Sequence, residues 1–143
     1  MSYHLRLTSY ALFLTGLFYF GCSNYKAIDH AKARALVESL IMKIDSGKYQ
    51  EANALYTDEF NTGEPLANRI AKYAQLKEAM GNVQSMKCTF IRDSTTEDDW
   101  HCAVLIYQVK HTLLTSTEQY TVVSQGGNYK VSEQNIKKAE GGN

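Results

Sequence analysis

The hydrophobic period of this 143-residue chain changes once, at Gly81. Before that glycine, apolar residues recur at helical spacing. After it they alternate with polar ones. Helices segregated from strands in this way specify an α+β domain and not a run of βαβ units. The first half predicts three helices. The first begins around Ala27–Asp29 and runs to Asp45–Ser46, with Ala27, Ala31, Ala35, Leu36, Leu40, Ile41 and Ile44 along its inner stripe and Gly47 just past its end. Lys48–Phe60 reads as a second, short helix carrying Tyr49, Ala52, Leu55, Tyr56 and Phe60 on one face. Asn61-Thr-Gly-Glu-Pro65 breaks the pattern with the only proline of the chain. The third helix covers Leu66–Met80 and turns Leu66, Ile70, Tyr73, Ala74 and either Met80 or Leu76 inward.

Four strands follow: Val83–Arg92, Trp100–His111, Leu113–Gln125 and Asn128–Ile136. Gly126-Gly127 is a two-residue hairpin turn, because both positions accept positive φ. It sets Val122 opposite Val131, and Tyr120 opposite Glu133 or its neighbours. Ser94–Asp99 reads as a polar, acidic hairpin loop, and Lys137–Asn143 as a frayed tail. The result is three helices packed on a curved four-stranded antiparallel meander. This element order, the segment DSGKYQEANALYTDEF at Asp45–Phe60 and the closing hairpin EQYTVVSQGGNYKVSEQNI at Glu118–Ile136 resemble the cystatin-like/NTF2-like superfamily, and within it small exported bacterial domains of unassigned function. The resemblance covers roughly residues 27–136. It implies a cone between helices and sheet that can hold a cavity, and it implies a fold but not a reaction.

The stretch Ala11–Cys22, ALFLTGLFYFGC, follows a short segment carrying Arg6 and matches a secretory signal over residues 1–21. Its apolar run is about ten residues, short of the ~20 that span a bilayer. A short uncleaved anchor is the competing reading. Gly21-Cys22 resembles the lipobox of bacterial lipoproteins, with a thiol at +1 and a small residue at −1. Tyr19 and Phe20 depart from the aliphatic and small residues usual at −3 and −2. The resemblance implies lipid on Cys22, a tether over residues 22–26 and a place in the cell envelope. In a host with two membranes, Ser23 at +2 points to the periplasmic side of the outer membrane. The 15 basic residues less Arg6 leave 14 against 15 acidic ones, so neither nucleic acid nor an anionic lipid surface finds a basic patch.

With Cys22 carrying lipid, Cys88 and Cys102 remain. A hairpin folded about Thr95 sets them opposite each other, with Phe90 facing Trp100 and Met86 facing Val104, and predicts a disulfide closing a loop of about 15 residues. Two buried thiols are the alternative. No P-loop, dinucleotide fingerprint, nucleophile elbow or HExxH stands in the chain, and the spacing of Cys88, His101 and Cys102 gives no metal site and no cofactor. Relatives on the resembled fold include enzymes that use a carboxylate and a tyrosine inside the cone. On that resemblance the candidates are Asp58 or Glu59 with Tyr56, and His101 or His111. Read on their own, Asp58 and Glu59 are exposed acids near a helix end, both histidines are solvated at strand ends, and Glu97-Asp98-Asp99 is a solvated hairpin tip. Tyr56, Tyr73, Tyr107 and Tyr120 are core residues or the lining of a pocket. The leading expectation is a non-enzymatic, lipid-anchored domain contacting an envelope protein or a small apolar ligand. The alternatives are a small isomerase-like enzyme using the cone, and a structural subunit of an envelope assembly.

Overall fold

The computed structural model describes residues 27–97 and 100–139. The signal segment, Cys22 and the tether lie outside the described residues. The described residues form α1 (His30–Asp45), α2 (Tyr49–Asn53), α3 (Asp58–Gly63) and α4 (Leu66–Met80), then β1 (Val83–Thr95), β2 (His101–His111), β3 (Thr115–Gln125) and β4 (Asn128–Lys138). The strands form one antiparallel sheet in the order β1-β2-β3-β4. This is the α+β architecture the change of period requires, with one helix more than the pattern suggests.

Asp29 caps α1, its carboxylate accepting from the amides of Ala31 and Lys32 at 3.0 and 3.2 Å. The buried face of α1 is Ala33, Val37, Leu40 and Ile41, while Ala27, Ala31 and Ala35 are exposed. The alanine stripe is therefore not the inner one. Val37, Leu40 and Ile41 carry far more apolar area than three alanines, and burial of area orients the helix. The second helix also divides. Tyr56 forms a parallel bridge with Val131 of edge strand β4: the Val131 amide donates to Leu55 O at 2.9 Å and the Thr57 amide to Val131 O at 3.0 Å. Extended backbone at 55–57 thus satisfies the outward groups of β4 beside the register shift at Thr121/Val122, and Thr57 then caps α3 through the Phe60 amide.

On the sheet, Ala103, Leu105, Tyr107 and Val109 face the helices with Tyr120, Val122 and Val131, all fully buried. The Gly126-Gly127 turn is as expected, with φ of 59° and 81°, and Val122 opposes Val131. Tyr120 pairs with Gln134. The expected frayed tail is in part strand, since Lys137 and Lys138 pair with Thr117 and Ser116. Among the described residues, no helix is long and apolar enough to cross a membrane.

The first hairpin overturns the predicted cysteine pairing. Ser94 and Thr95 belong to β1 and not to a loop, so the chain turns beyond Thr95. Cys102 opposes Ser94, Cys88 opposes Tyr107, Phe90 opposes Ile106, and Met86 opposes Val109. Cys88 therefore lies six residues, about 20 Å, along β1 from the partner of Cys102. Cys88 packs against the helix-covered core, whereas Cys102 lies beside Val104 and Val123 on the other face. Both are free thiols, and no disulfide geometry spans that separation. Alkylation of the native domain should label Cys88 first. Burial holds the Cys102 thiol above its usual pKa and excludes reagent, so Cys102 should react only as the domain opens. Equal labelling rates, or an intact bridge by mass spectrometry, would reject this register.

Candidate functional site

The inner face of the sheet carries a line of polar side chains at one end of the core. Ser116, Glu118 and Tyr120 stand two residues apart on β3 and so share that face. His111 closes β2 beside them, and Gln134 lies across from Tyr120 on β4. Tyr56 enters from the α2–α3 link and Tyr73 from α4. The Tyr56 and Tyr73 hydroxyls are 2.5 Å apart, and both lie within hydrogen-bond reach of Gln134 Oε1, at 2.7 and 2.8 Å. Gln134 Nε2 approaches the Tyr120 hydroxyl at 3.4 Å. Tyr120 donates in turn to Glu118 Oε2. Ser116 Oγ donates to Glu118 Oε1 at 2.7 Å, and His111 Nε2 lies 3.0 Å from Ser116 Oγ and 3.6 Å from Glu118 Oε1. The line thus connects helix, link and three strands through groups that water scarcely reaches.

Burial sets the ionisation of this line. The hydroxyls of Tyr56, Tyr73 and Tyr120 are all held above the ordinary tyrosine range, burial being the largest cause in each. The neighbouring Tyr73 adds to the shift at Tyr56, and the Glu118 carboxyl adds to it at Tyr120. A neutral phenol donating to the Glu118 carboxyl is the stable arrangement, because burial leaves a phenolate there without solvation.

Arg69 of α4 holds the helical wall. It is 3% exposed, and its guanidinium donates to Asn53 Oδ1, Asn61 Oδ1, Phe60 O and Glu64 O at 2.8 to 3.2 Å. It also lies against the stacked rings of Tyr56 and Phe60, at 5.1 and 4.5 Å from their centres. One arginine therefore ties α2, α3 and α4 together and seats Tyr56 where it meets Tyr73.

A cavity of about 40 Å³ lies between this line and the helices, bounded by Ile41 and Ile44 of α1, Leu76 and Met80 of α4, and His111 and Glu118 of the sheet. That is space for one or two waters. His111 is 7% exposed, and its Nδ1 has no hydrogen-bond partner within the described residues. A buried, unpaired ring nitrogen beside a cavity can receive a polar group of a bound molecule.

Of the residues singled out in the sequence, the structure brings Tyr56, Tyr73 and Tyr120 together. Tyr107 meets Tyr120 edge-on, 6.2 Å between ring centres, but its hydroxyl leaves the line for Glu38 Oε1 at 3.3 Å. Asp58 and Glu59 are exposed in the first turn of α3, outside the cone, and Glu59 accepts from Gln125 at 3.0 Å. His101 is exposed, whereas His111 is buried in the line and not solvated as a strand-end histidine would be. Glu97 is exposed, and Asp98 and Asp99 lie outside the described residues. Among the described residues, no group of three His, Cys, Asp or Glu could hold a metal ion. Glu118, Ser116 and Gln134 escape sequence reasoning. The available signal is the two-residue spacing of Ser116, Glu118, Tyr120 and Val122, which puts the carboxylate on the buried face.

No family model matches the chain, and no curated protein matches it. Solved structures do. ActVI-ORFA from Streptomyces coelicolor superposes with a TM-score of 0.53 at 11% identity, over 77% of this chain and 97% of that one. The β subunit of the benzoate 1,2-dioxygenase from Burkholderia mallei gives 0.51 at 12%, over 79% and 92%. Aln2 from a Streptomyces species gives 0.51 at 11%, over 79% and 94%. These likenesses establish an NTF2-like cone as the fold of the domain.

Proposed function

We propose that this chain is a lipid-anchored envelope protein whose cone binds a small, mostly apolar molecule through one hydrogen-bonding group. The observation that carries the binding half is the unpaired Nδ1 of buried His111, a residue of the cavity wall. Ile41, Ile44, Leu76 and Met80 supply the apolar wall, and Glu118, Tyr120 and Gln134 supply donors and acceptors at its floor. A ligand larger than two waters enters by displacing α4. That helix buries only Arg69, Tyr73 and Met80 along its length, and its Leu76 side chain stands in the cavity wall. The anchoring half rests on the Gly21-Cys22 resemblance and the signal segment before it.

Acid–base catalysis on the same floor is the second reading. Glu118 favours it: a buried carboxylate lies 3.6 Å from a histidine nitrogen and accepts from a tyrosine, the arrangement that moves a proton to or from a bound carbon acid.

Both halves are tested on the full chain. N-phenyl-1-naphthylamine should bind with a saturable rise in fluorescence, and Leu76→Trp, which fills the cavity, should weaken it at least about tenfold with helicity unchanged. Cys22→Ser should move the protein from the membrane to the soluble fraction. Unchanged probe binding in Leu76→Trp rejects the cone, and unchanged partitioning of Cys22→Ser rejects the anchor.

A further inference from the structure

The face of the sheet turned away from the helices carries a second, larger concavity that the cone reading does not use. It is an open groove of about 560 Å³ with Cys102, Val104, Thr121 and Val123 along its floor. Glu97 and Trp100 line it on the β1–β2 side, and Thr57 and Glu59 of the α3 start line it on the β4 side. Trp100 is 57% exposed, although an indole ring gains more from burial than most side chains.

We propose that this groove binds a short saccharide bearing amino groups. Three features of the lining converge on that class. First, Trp100 puts a half-exposed indole in the lining, and an aromatic ring suits the C–H-rich face of a sugar ring. Second, most of the polar lining is hydroxyl or amide: Thr57, Thr95, Gln119, Thr121, Gln125 and Ser132. Such groups both donate and accept, as sugar hydroxyls do, and they suit a polyol better than an apolar or purely ionic ligand. Several are already oriented. Thr121 donates to Glu133 at 2.9 Å, Ser132 to Thr121 O at 3.3 Å, and Gln125 to Glu59 at 3.0 Å. Third, the charged lining is Glu59, Glu97 and Glu133, with no lysine or arginine among the groove residues. Of the cations on this face, the two whose strand partners line the groove are engaged elsewhere: Arg92, opposite Val104, lies over the Phe90 ring at 5.9 Å, and Lys130, opposite Val123, reaches Ala54 O. Glu59 is held below the ordinary carboxylate range, chiefly by a backbone amide and by Gln125, and so is an anion at neutral pH. Ammonium groups on the ligand complement these carboxylates.

Trp100 is the only tryptophan in the chain, so its emission reports on this groove alone. The probes are the β-1,4-linked trimers of glucosamine and of N-acetylglucosamine, which differ in the charge on nitrogen. The glucosamine trimer should shift the emission saturably. The triple variant Glu59→Gln, Glu97→Gln, Glu133→Gln, which keeps acceptors in place, should weaken it by roughly tenfold, as should about 1 M salt. The N-acetyl trimer should bind more weakly and without dependence on salt. No saturable change with either trimer up to about 10 mM overturns the site. Equal affinity for the two trimers, unaffected by the triple variant, overturns its preference for amines. Leu76→Trp plays no part in this experiment, so the groove and the cone stand or fall separately.

Discussion

Arg69→Ala is expected to cost the domain about 3–5 kcal/mol, enough to unfold much of it near body temperature. The size follows from what the guanidinium leaves behind. Four acceptors on Asn53, Asn61, Phe60 and Glu64, from α2, α3 and the segment before α4, lose their donor at once. The Glu64 carboxylate keeps Lys72, 2.5 Å away, but Lys72 is on the exposed side of α4 and is no substitute for the buried fork. The rings of Tyr56 and Phe60 lose the flat cation packed against them. Arg69→Lys should recover little, because an ammonium cannot meet four acceptors with a planar fork. The measurement is urea unfolding followed by circular dichroism. A loss under about 1 kcal/mol would mean that the short helices are held by something other than this side chain. A coupled effect should appear at the cone, since Tyr56 is seated by the same arginine. The probe affinity of Arg69→Lys should therefore fall even where the fold survives.

How far residues announce their positions depends on whether their reason is local. The two-glycine turn at Gly126-Gly127 needs nothing beyond its own backbone, and with it comes the Val122–Val131 pairing. Gly81 ends a helix, as a residue at φ 82° beside Thr112 must. The register of β1 on β2 is misread from sequence because Ser94 and Thr95 are polar, and polarity suggests a loop. β-branched threonine is also a good strand residue. Three residues of extra strand, Asp93 to Thr95, move the turn and separate Cys88 from Cys102. The break at Ala54–Thr57 has no local sign, because it exists to pair with Val131, a residue far along the chain. Glu118 is passed over when candidates are drawn from a helix end and not from the alternation of β3. Its partners Tyr120 and Ser116 are two residues away, so this one is legible. Arg69 is not: a cation in a helix reads as solvated until four backbone and amide oxygens are seen to converge on it.

Alkaline pH should unfold the domain cooperatively, starting roughly one pH unit above the ordinary tyrosine pKa of about 10. Tyr56, Tyr73, Tyr107 and Tyr120 have pKa values raised by folding, first through burial. Below about pH 10 these phenols are protonated in both states and give no pH dependence. Above it the unfolded chain releases protons that the folded one retains, so stability falls as pH rises. Each group contributes about 1.4 kcal/mol per pH unit, and four contribute about 5.6. Against a total of ~5–15 kcal/mol, roughly one to three pH units exhaust the reserve. Tyrosinate absorbance should therefore rise in two stages. An early, gradual stage belongs to exposed hydroxyls, and a steep late one should coincide with the loss of circular dichroism. Tyr73→Phe removes one of the four retained protons, so the steepness should drop by about a quarter, although the variant starts less stable for want of its bond to Gln134. If all tyrosinate absorbance develops before any change in dichroism, the hydroxyls are accessible in the folded state. The line from Tyr56 to Glu118 would then be open to water, and a cavity beside it could not present a dry, unpaired His111 nitrogen to a ligand.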